Sequence, residues 1–354
     1  MPPRRKRRID PALFELPVDR IRAGEFSDVY FTRARAALRA DGRVARVTWQ
    51  VSAKRGGWLG GIDEAVALLR LCTDDFAALD VHALYEGDRV EPWDTVLLVE
   101  GDYASFAHLE TLILGSLARR TRVCTNVRTL VDAARPKPIY YFGARSDHAL
   151  VQAGDGLAAH VGGAASVSTD AQGAFTGKKG VGTIPHALIA AYGGDTVAAA
   201  LAVARILPAD VPLIALVDYH NDSVEASLAV ARALEGRLWA VRLDTAEFLV
   251  DRSVIPMMGA FTPTGVNAAL VWNVRNALDA EGFGEVKIVA SGGFGLQRIR
   301  AFEEEGVPVD AYGVGASVHE GRWDYTADVV QLDGVAQAKV GRELRANPRM
   351  EKVK

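Results

Sequence analysis

Apolar runs and helical segments alternate through the second half of the chain. Four apolar runs each end in a small or acidic residue and cover positions 214–218, 239–244, 287–291 and 311–315. Between them, segments such as 224–234 carry apolar residues at helical spacing, with Asp222 before the segment and Gly236 after it. This alternation predicts parallel strands joined by helical crossovers, with polar groups gathered at the carboxyl ends of the strands.

The first part of the chain has a mixed pattern that predicts a separate α+β region. Apolar runs over 44–51 and 96–99 are typical of strands, whereas 62–71 has the spacing of a helix. Two further helices are expected over 104–118 and 126–134. Strands and helices therefore do not alternate here as regularly as in the second half.

These patterns divide the chain into three parts. The basic run at the start, within residues 1–11, is expected to be a disordered tail. An α+β region covers 12–120, and a barrel-like α/β region covers 121–324. The pattern leaves open whether residues 325–354 return to the first region.

Composition limits the classes of function. With 354 residues, of which 49% are hydrophobic, the chain can bury a full core, and its net charge of -3 argues against a nucleic-acid surface on the body of the protein. Cys72 and Cys124 are too few for a disulfide framework or a cysteine zinc site, which fits a reducing cytoplasm. No run reaches the ~18 uninterrupted apolar residues of a membrane helix. We expect a cytoplasmic protein without a nucleic-acid or membrane partner.

Two glycine-rich turns follow the last two predicted strands. They are Ser291-Gly292-Gly293 and Gly313-Val314-Gly315. Because glycine has no Cβ, the backbone N–H groups of such turns can approach a phosphate closely. Loops after the final strands of an α/β barrel often hold a phosphate. The turns therefore predict a phosphorylated small-molecule ligand.

Acidic residues end two successive predicted strands. Asp218 and Asp244 could hold ribose hydroxyls or a magnesium ion, and Arg242 lies on the same strand face as Asp244 and could meet an anion. An acidic residue after a strand can instead cap the next helix. For Asp222 we adopt that interpretation, and for Asp218 and Asp244 both remain open.

Three other segments carry candidate chemistry. His186 follows a glycine and a proline in Gly-Thr-Ile-Pro-His, so its imidazole could act as a base, bind phosphate or be phosphorylated, or could simply be structural. Phe142 and Arg145 could stack on a flat ring and pair with its carboxylate, although aromatic residues at such a run are otherwise ordinary core. Tyr30 beside Asp28 is similarly ambiguous.

Taken together, seven motifs resemble those of nicotinate phosphoribosyltransferases and occur in the same order. The resemblance covers about residues 25–320. The motifs are Asp28-Val29-Tyr30, Phe142-Gly143-Ala144-Arg145, Gly182-Thr183-Ile184-Pro185-His186, Val217-Asp218-Tyr219, Arg242-Leu243-Asp244, Ser291-Gly292-Gly293 and Gly313-Val314-Gly315.

The resemblance implies a type II phosphoribosyltransferase fold, in which an irregular, incomplete α/β barrel accompanies an α+β sandwich domain. It also implies a head-to-tail homodimer, or a higher homo-oligomer, with shared sites. The implied reaction joins nicotinate to 5-phosphoribosyl 1-pyrophosphate in NAD biosynthesis, with ATP hydrolysis coupled through a phosphohistidine. Mg²⁺ would accompany the pyrophosphate, and no metal site built by the protein alone is expected.

The resemblance also assigns roles to individual residues. His186 would be phosphorylated, Asp218 and Asp244 would hold the ribose and the magnesium pyrophosphate, and Thr183 would contact substrate. The pyridine ring would lie between Phe142 and Tyr30 of the partner subunit. The residues implied to bind the nicotinate carboxylate are Arg242 and Arg145, and those implied to bind the 5′-phosphate are Ser291, Gly292, Gly293, Gly313 and Gly315.

Asp170 complicates the choice of substrate. It lies where related nicotinamide-using enzymes carry an acid that accepts a hydrogen bond from the amide, and a carboxylate there would repel nicotinate unless it is protonated or turned away. We expect Arg242 to outweigh it and favour nicotinate. The alternatives are a nicotinamide or a quinolinate phosphoribosyltransferase and, from another class, a non-catalytic sensor of a phosphate ligand.

Overall fold

The computed structural model describes residues 7–259 and 261–353. The strands, in chain order, are β1 (Arg46–Ala53), β2 (Gly57–Trp58), β3 (Asp80–Ala83), β4 (Arg89–Val90), β5 (Thr95–Asp102), β6 (Ile139–Tyr141), β7 (Ser166–Val167), β8 (Leu213–Leu216), β9 (Leu238–Leu243), β10 (Lys287–Ala290), β11 (Ala311–Val314), β12 (Tyr325–Leu332), β13 (Val335–Ala336) and β14 (Glu351–Lys352).

The helices are, likewise in chain order, α1 (Val18–Arg22), α2 (Val29–Ala40), α3 (Ile62–Cys72), α4 (Tyr103–Phe106), α5 (Glu110–Ala134), α6 (Gln152–Gly162), α7 (Asp170–Gly173), α8 (His186–Ala191), α9 (Thr196–Ile206), α10 (Ser223–Leu234), α11 (Ala268–Ala280) and α12 (Leu296–Glu304). Short 3-10 helices add single turns at Pro11–Phe14, Phe76–Ala78, Ala107–Leu109, Gly143–Ser146, Ala149–Val151, Ile255–Met257 and Ala316–His319.

The first of two compact units combines residues up to 125 with residues from 320 onward. Its main sheet is antiparallel, in the order β13-β12-β1-β5-β3-β14. Residues 47–53 of β1 are all buried, so both faces of this central strand are covered. Trp49 packs its ring edge against Phe106, with ring centroids 5.7 Å apart. Residues beyond 320 therefore supply β12, which pairs with β1.

The second unit, residues 126–319, holds a curled parallel half-barrel. Its strands lie in the order β7-β6-β11-β10-β9-β8, and every neighbouring pair is parallel. Within the described residues no pairing joins β7 to β8, so the barrel stays open. The four predicted apolar runs coincide with β8 to β11. The predicted fold class, an incomplete α/β barrel with an α+β domain, is confirmed.

The two helices predicted over 104–118 and 126–134 are wrong in their boundaries. The chain instead forms α4, a 3-10 turn and then the single long helix α5. No proline lies within α5, its one glycine is Gly115, and apolar residues along its length are buried at Ile113, Leu117, Val127 and Leu130. Continuous burial of one face therefore extends the helix through the expected gap.

Asp222 does not cap α10 with its side chain, so that prediction is wrong. The N–H of Ser223 donates instead to Asp251 Oδ2 at 2.9 Å, and the Ser223 hydroxyl donates to the same oxygen at 2.7 Å. Asp251 is fully buried, and its other oxygen accepts from the Ser253 N–H and hydroxyl. A buried carboxylate distant in sequence thus takes the role expected of the adjacent one.

Part of the predicted disordered tail, residues 1–6, lies outside the described residues. Arg8, which follows, forms an ion pair with Asp63 at 2.8 Å and donates to the carbonyls of Ala83 and Leu84. The N–H of Ile9 donates to Asp63 Oδ2 at 2.9 Å. This stretch is therefore held against the first unit. No helix in the described part of the chain is long and apolar enough to cross a membrane.

A buried carboxyl in the first unit should make stability depend on pH. Glu86 accepts hydrogen bonds from the N–H groups of Gly61 at 3.1 Å and Asp63 at 3.0 Å, where α3 begins. Burial above all, with the Asp63 carboxylate, raises the pKa of Glu86 from 4.5 to about 8. Between these two pKa values the folded chain keeps a proton that the unfolded chain releases. Stability should therefore fall as the pH rises through this window.

We expect Glu86→Gln to remove this component, because a neutral amide imitates the protonated carboxyl. Urea unfolding between about pH 5 and 8.5 measures it: the free energy of unfolding of the variant should improve relative to that of the original chain as pH rises. Glu91→Gln, at an exposed carboxyl, serves as the control. A difference between Glu86→Gln and the original chain that stays constant with pH would contradict the assignment.

Candidate functional site

His186 and Asp218 meet beyond the carboxyl end of β8. The N–H of Ile184 donates to the carbonyl of Ile214 at 3.3 Å, and the Ile184 side chain is buried, so the segment before His186 is fixed to β8. Pro185 is extended and lets α8 begin at His186. His186 Nε2 then lies 3.0 Å from Asp218 Oδ1, with the imidazole half exposed.

The Asp218 carboxyl is almost buried, with 6% of its side chain exposed. Burial raises its pKa above the ordinary value, His186 lowers it, and the neighbouring Asp244 carboxylate raises it. A partly desolvated carboxylate beside an imidazole is a strong hydrogen-bond acceptor for it. Asp218 can therefore fix both the orientation and the tautomer of His186.

Arg242, on β9, is the most connected side chain of the site. Its Nε donates to Ser291 Oγ at 2.7 Å, its Nη1 donates to Thr183 Oγ1 at 3.0 Å, and its Nη2 lies 2.9 Å from Asp244 Oδ1. Ser291 Oγ lies in turn 2.7 Å from Asp244 Oδ1 and 3.0 Å from the carbonyl of Leu243. The guanidinium is thus held on three sides.

The guanidinium keeps two donors for a ligand. It has five N–H groups; hydrogen bonds to Ser291 and Thr183 use one on Nε and one on Nη1, and the ion pair with Asp244 lies at Nη2. At least one N–H therefore remains on each terminal nitrogen, and N–H groups on these two nitrogens can bind a carboxylate together. Arg242 can therefore meet an anion without breaking any of its contacts.

Phe142 packs beside Arg242, with the guanidinium carbon 5.3 Å from the ring centroid. Its N–H donates to the carbonyl of Val314 at 2.6 Å, which ties it to the end of β11. The ring lies directly over Gly313, where a Cβ would come within 2.6 Å of Phe142 Cε2. Gly313, predicted as part of a phosphate turn, lies inside β11 and leaves room for this ring.

Phe142, Arg242 and Thr183 border a small cavity of about 130 Å³. It is small beside the roughly 300–1,000 Å³ of pockets for drug-sized ligands, so it suits one flat ring. Its lining joins an aromatic face to two arginines and consists of Phe142, Ala144, Arg145, Ser168, Val181, Gly182, Thr183 and Arg242. The arrangement can hold a planar, negatively charged molecule.

Residues 291–295, which we call the glycine turn, follow β10. Gly292 and Gly293 adopt φ values of +81° and +76°, which favour glycine. Ser291 is buried and its N–H donates to the carbonyl of Leu243 at 2.9 Å, so the start of the turn is joined to β9. The turn therefore lies beside Asp244 and Arg242. Gly315 follows β11, where a Cβ would lie 3.1 Å from the carbonyl oxygen of Phe142.

Asp170 is turned toward the neighbouring basic loop. Its Oδ1 accepts from the Gly180 N–H at 2.9 Å, and its Oδ2 lies 3.2 Å from Lys179 Nζ. The Gly180 N–H first, and then the Lys179 ammonium, hold the pKa of Asp170 below its ordinary value. Its side chain is 66% exposed and does not line the cavity. The carboxylate that we expected to compete with Arg242 is thus compensated elsewhere.

Tyr30 lies in the first unit, near the start of α2. Its side chain is exposed, its ring centroid lies 4.4 Å from that of Phe31, and its hydroxyl is 3.3 Å from Asp28 Oδ2. Thr111 in turn donates to the same Asp28 oxygen at 2.8 Å. The ring is therefore held at the surface and open to a partner.

Sequence reasoning missed two polar residues around the site, Ser168 and Arg298. Ser168 lines the cavity, and its hydroxyl and N–H both lie near Gln172 Oε1, at 3.1 and 3.0 Å. Its position directly after β7 could have indicated a site residue, since other site residues such as Asp244 and Ser291 also follow strands. Arg298, one helical turn after the glycine turn, donates to the carbonyl of Gly292 at 2.7 Å. Nothing in its sequence context distinguishes it from an ordinary helical arginine.

The site offers carboxylate oxygens to a metal but no complete set of ligands. Across the described residues no group of three or more His, Cys, Asp and Glu side chains could hold an ion. The Oδ1 atoms of Asp218 and Asp244 are engaged by His186 and by Arg242 with Ser291, while each carboxylate keeps a second oxygen. Mg²⁺ commonly binds one or two carboxylates together with substrate phosphates and waters. The residues fit an ion that arrives with a phosphorylated substrate.

A family model and curated proteins match this chain. The model of the quinolinate phosphoribosyl transferase N-terminal domain matches residues 28–121. Nicotinate phosphoribosyltransferase pncB1 of Mycobacterium tuberculosis is 30% identical over 268 residues, which are 73% of this chain and 55% of that protein. The pncB2 protein of the same organism is 27% identical over 240 residues, which are 68% and 48%. The chain thus spans about half the length of these curated relatives.

Solved structures extend the similarity to nearly the whole chain. The crystal structure of nicotinate-nucleotide pyrophosphorylase from Pyrococcus furiosus is 32% identical, with a TM-score of 0.80, and the match covers 96% of this chain and 85% of that one. Human nicotinic acid phosphoribosyltransferase shares the fold at a TM-score of 0.67 and 18% identity, covering 90% and 77%.

The contact between Gly313 and the Phe142 ring predicts a sharp penalty for a small substitution. Gly313→Ala would overpack the ring, and overpacking costs about 1–3 kcal/mol. Urea unfolding measures this loss. Gly182→Ala, where a Cβ would meet nothing within 4 Å, should leave the free energy of unfolding nearly unchanged. Equal stabilities of the two variants would show that the ring does not depend on Gly313.

Proposed function

The chain belongs to the phosphoribosyltransferase family that includes nicotinate-nucleotide pyrophosphorylase, and it is similar to curated nicotinate phosphoribosyltransferases. On this basis we propose that it joins nicotinate to 5-phosphoribosyl 1-pyrophosphate. The products would be nicotinate mononucleotide and pyrophosphate, and the reaction would be a step in NAD salvage. The observation that carries the proposal is the cavity where Arg242, with two spare N–H groups, lies beside the Phe142 ring. A flat ring that bears a carboxylate can stack on Phe142 and pair with Arg242.

Nicotinate would stack on Phe142 with its carboxylate on Arg242, and Arg145 would add a second positive charge at the cavity wall. Tyr30 of the partner subunit would cover the other face of the ring in a homodimer with shared sites. Asp170 does not oppose this arrangement, because its carboxylate pairs with Lys179 and accepts from the Gly180 N–H outside the cavity.

The ribose and the leaving group would lie over the strand ends. Cleavage of the ribosyl bond develops positive charge on the ribose, which carboxylates such as Asp218 and Asp244 stabilise. A magnesium ion bound with the pyrophosphate would supply compensating charge for the leaving group. The pyridine nitrogen carries its own lone pair, so the protein positions it rather than deprotonates it. The glycine turn, with Gly315 nearby, would receive the 5′-phosphate.

His186 is suited to phosphorylation by ATP. Its Nε2 contact with Asp218 leaves Nδ1 with a lone pair when Nε2 carries the proton. That lone pair would form the bond to the γ-phosphorus while the bond to ADP breaks and its electrons leave with ADP. Water would then hydrolyse the phosphohistidine during the catalytic cycle.

The test is product formation from nicotinate, nicotinamide and quinolinate, each with 5-phosphoribosyl 1-pyrophosphate, with and without ATP. We expect nicotinate to exceed nicotinamide by at least about a hundredfold in kcat/KM, on the order of 2.7 kcal/mol, because a charge-assisted pair with Arg242 is lost with the amide. Arg242→Ala should shrink this preference, since it removes the cation that recognises the carboxylate.

Asp170→Asn is the matched control and should leave the preference unchanged, because its carboxylate is already compensated at the surface. A higher kcat/KM for nicotinamide in the original chain would instead make Asp170 the discriminating residue. Efficient use of quinolinate would assign both Arg145 and Arg242 to its two carboxylates. Absence of product from all three substrates, with retained binding of the ribosyl donor, would identify a sensor.

A second prediction concerns ATP. His186→Ala should abolish acid-labile labelling by γ-phosphate of ATP and should keep a slow reaction without ATP, because the substrate contacts remain. Radiolabelling followed by acid treatment measures the first effect, and product assays measure the second. His148→Ala, at an exposed histidine outside the strand ends, should retain full labelling. Acid-labile labelling that survives in His186→Ala would place the phosphate on another residue.

A further inference from the structure

We propose that Arg298 and Ser317 are positioning residues that aim the backbone N–H groups of Gly293 and Gly295 at the 5′-phosphate. The inference rests on the proposed function, because it assumes that the glycine turn receives that phosphate. Neither side chain is assigned to contact the substrate. They act by holding the Gly292 and Phe294 carbonyl groups on the side of the turn away from the proposed phosphate.

Arg298 secures the first half of the glycine turn. From α12 its Nη1 donates to the carbonyl of Gly292 at 2.7 Å, and its Nη2 donates to the carbonyl of Val266 at 2.6 Å. The guanidinium also stacks on the buried Phe294 ring, 4.3 Å from its centroid. Three separate contacts fix the side chain, and one of them fixes the Gly292 carbonyl.

Ser317 secures the second half. It lies in the 3-10 helix that follows β11, and its hydroxyl donates to the carbonyl of Phe294 at 2.9 Å. The Phe294 ring is anchored as well, at centroid distances of 5.0 Å from Phe302 and 5.3 Å from Tyr312. The hydrogen bond from Ser317 to the Phe294 carbonyl thereby joins the loop after β11 to the loop after β10.

Peptide geometry turns these contacts into an orientation of N–H groups. In a trans peptide the C=O of one residue and the N–H of the next point in opposite directions. Holding the Gly292 carbonyl against Arg298 therefore directs the Gly293 N–H away from it. Holding the Phe294 carbonyl against Ser317 directs the Gly295 N–H away in the same manner.

The two N–H groups are available to a ligand. In the part of the chain that the structure describes, neither the Gly293 N–H nor the Gly295 N–H has an acceptor. Gly293 as a whole residue is exposed. Its φ of +76° and the +81° of Gly292 are favourable for glycine, so the turn can keep this conformation at little cost. Both N–H groups can therefore donate to an anion that binds at the turn.

The test compares Arg298→Met and Ser317→Ala with the original chain in steady-state kinetics. Arg298→Met should raise the KM for 5-phosphoribosyl 1-pyrophosphate at least about tenfold, and Ser317→Ala about threefold or more, while the KM for nicotinate changes less than about twofold. The inhibition constant of ribose 5-phosphate, whose only phosphate is the 5′ group, should rise in parallel. That of pyrophosphate should not.

Arg300→Met is the matched control, because it removes the same charge from an exposed position of the same helix. It should leave all four constants unchanged. A KM for the ribosyl donor that is unaltered in both test variants, or a loss shared by ribose 5-phosphate and pyrophosphate, would overturn the inference. If Arg298→Met fails to fold, Ser317→Ala and Arg298→Lys decide by the same constants.

The two proposals fail in different ways. If the original chain makes product and both Arg298→Met and Ser317→Ala keep their constants, the positioning role is wrong and the proposed function stands. If the original chain makes no product, calorimetric titration can still compare the affinities of the original chain and Arg298→Met for ribose 5-phosphate. Weaker binding in the variant would then retain the positioning role without the reaction, and equal binding would overturn it.

Discussion

The site depends on the ion pair between Arg242 and Asp244. Arg242 lies on β9 and Asp244 directly follows that strand, and the Ser291 hydroxyl contacts both of them. The pair therefore joins the wall that would hold the ring to the strand end that would hold the ribose. It also determines which N–H groups of the guanidinium remain free. Because folding itself fixes this side chain, little side-chain entropy is left to lose when a ligand binds.

The positions of the strand ends could be predicted from the sequence. Parallel strands buried on both faces read as continuous apolar runs, and the residue after each run must lie at the carboxyl edge of the sheet. That reasoning predicts that Asp218, Asp244 and Ser291 lie near one another, although it gives no interatomic distances. It also yields the incomplete barrel, because the runs alternate with helical segments.

Contacts between residues distant in sequence could not be predicted in the same way. Gly313 resembles part of a phosphate turn until the Phe142 ring is placed over it. Asp251 replaces Asp222 at the start of α10 because burial, rather than proximity in sequence, decides which carboxylate receives the N–H. The compensation of Asp170 depends on a loop lysine whose direction has no local pattern. In each case the outcome depends on how segments pack together in the folded chain.

The pairing of β1 with β12 has a consequence for how the chain is made. Val47 lies opposite Leu332, so the central strand of the first unit lacks one neighbour until residues 325–332 have left the ribosome. The half-barrel, by contrast, is a continuous stretch of 126–319 and can fold while synthesis continues. During that interval one edge of β1 exposes unpaired N–H and C=O groups. Until β12 is made, this edge can therefore pair with a strand of another chain.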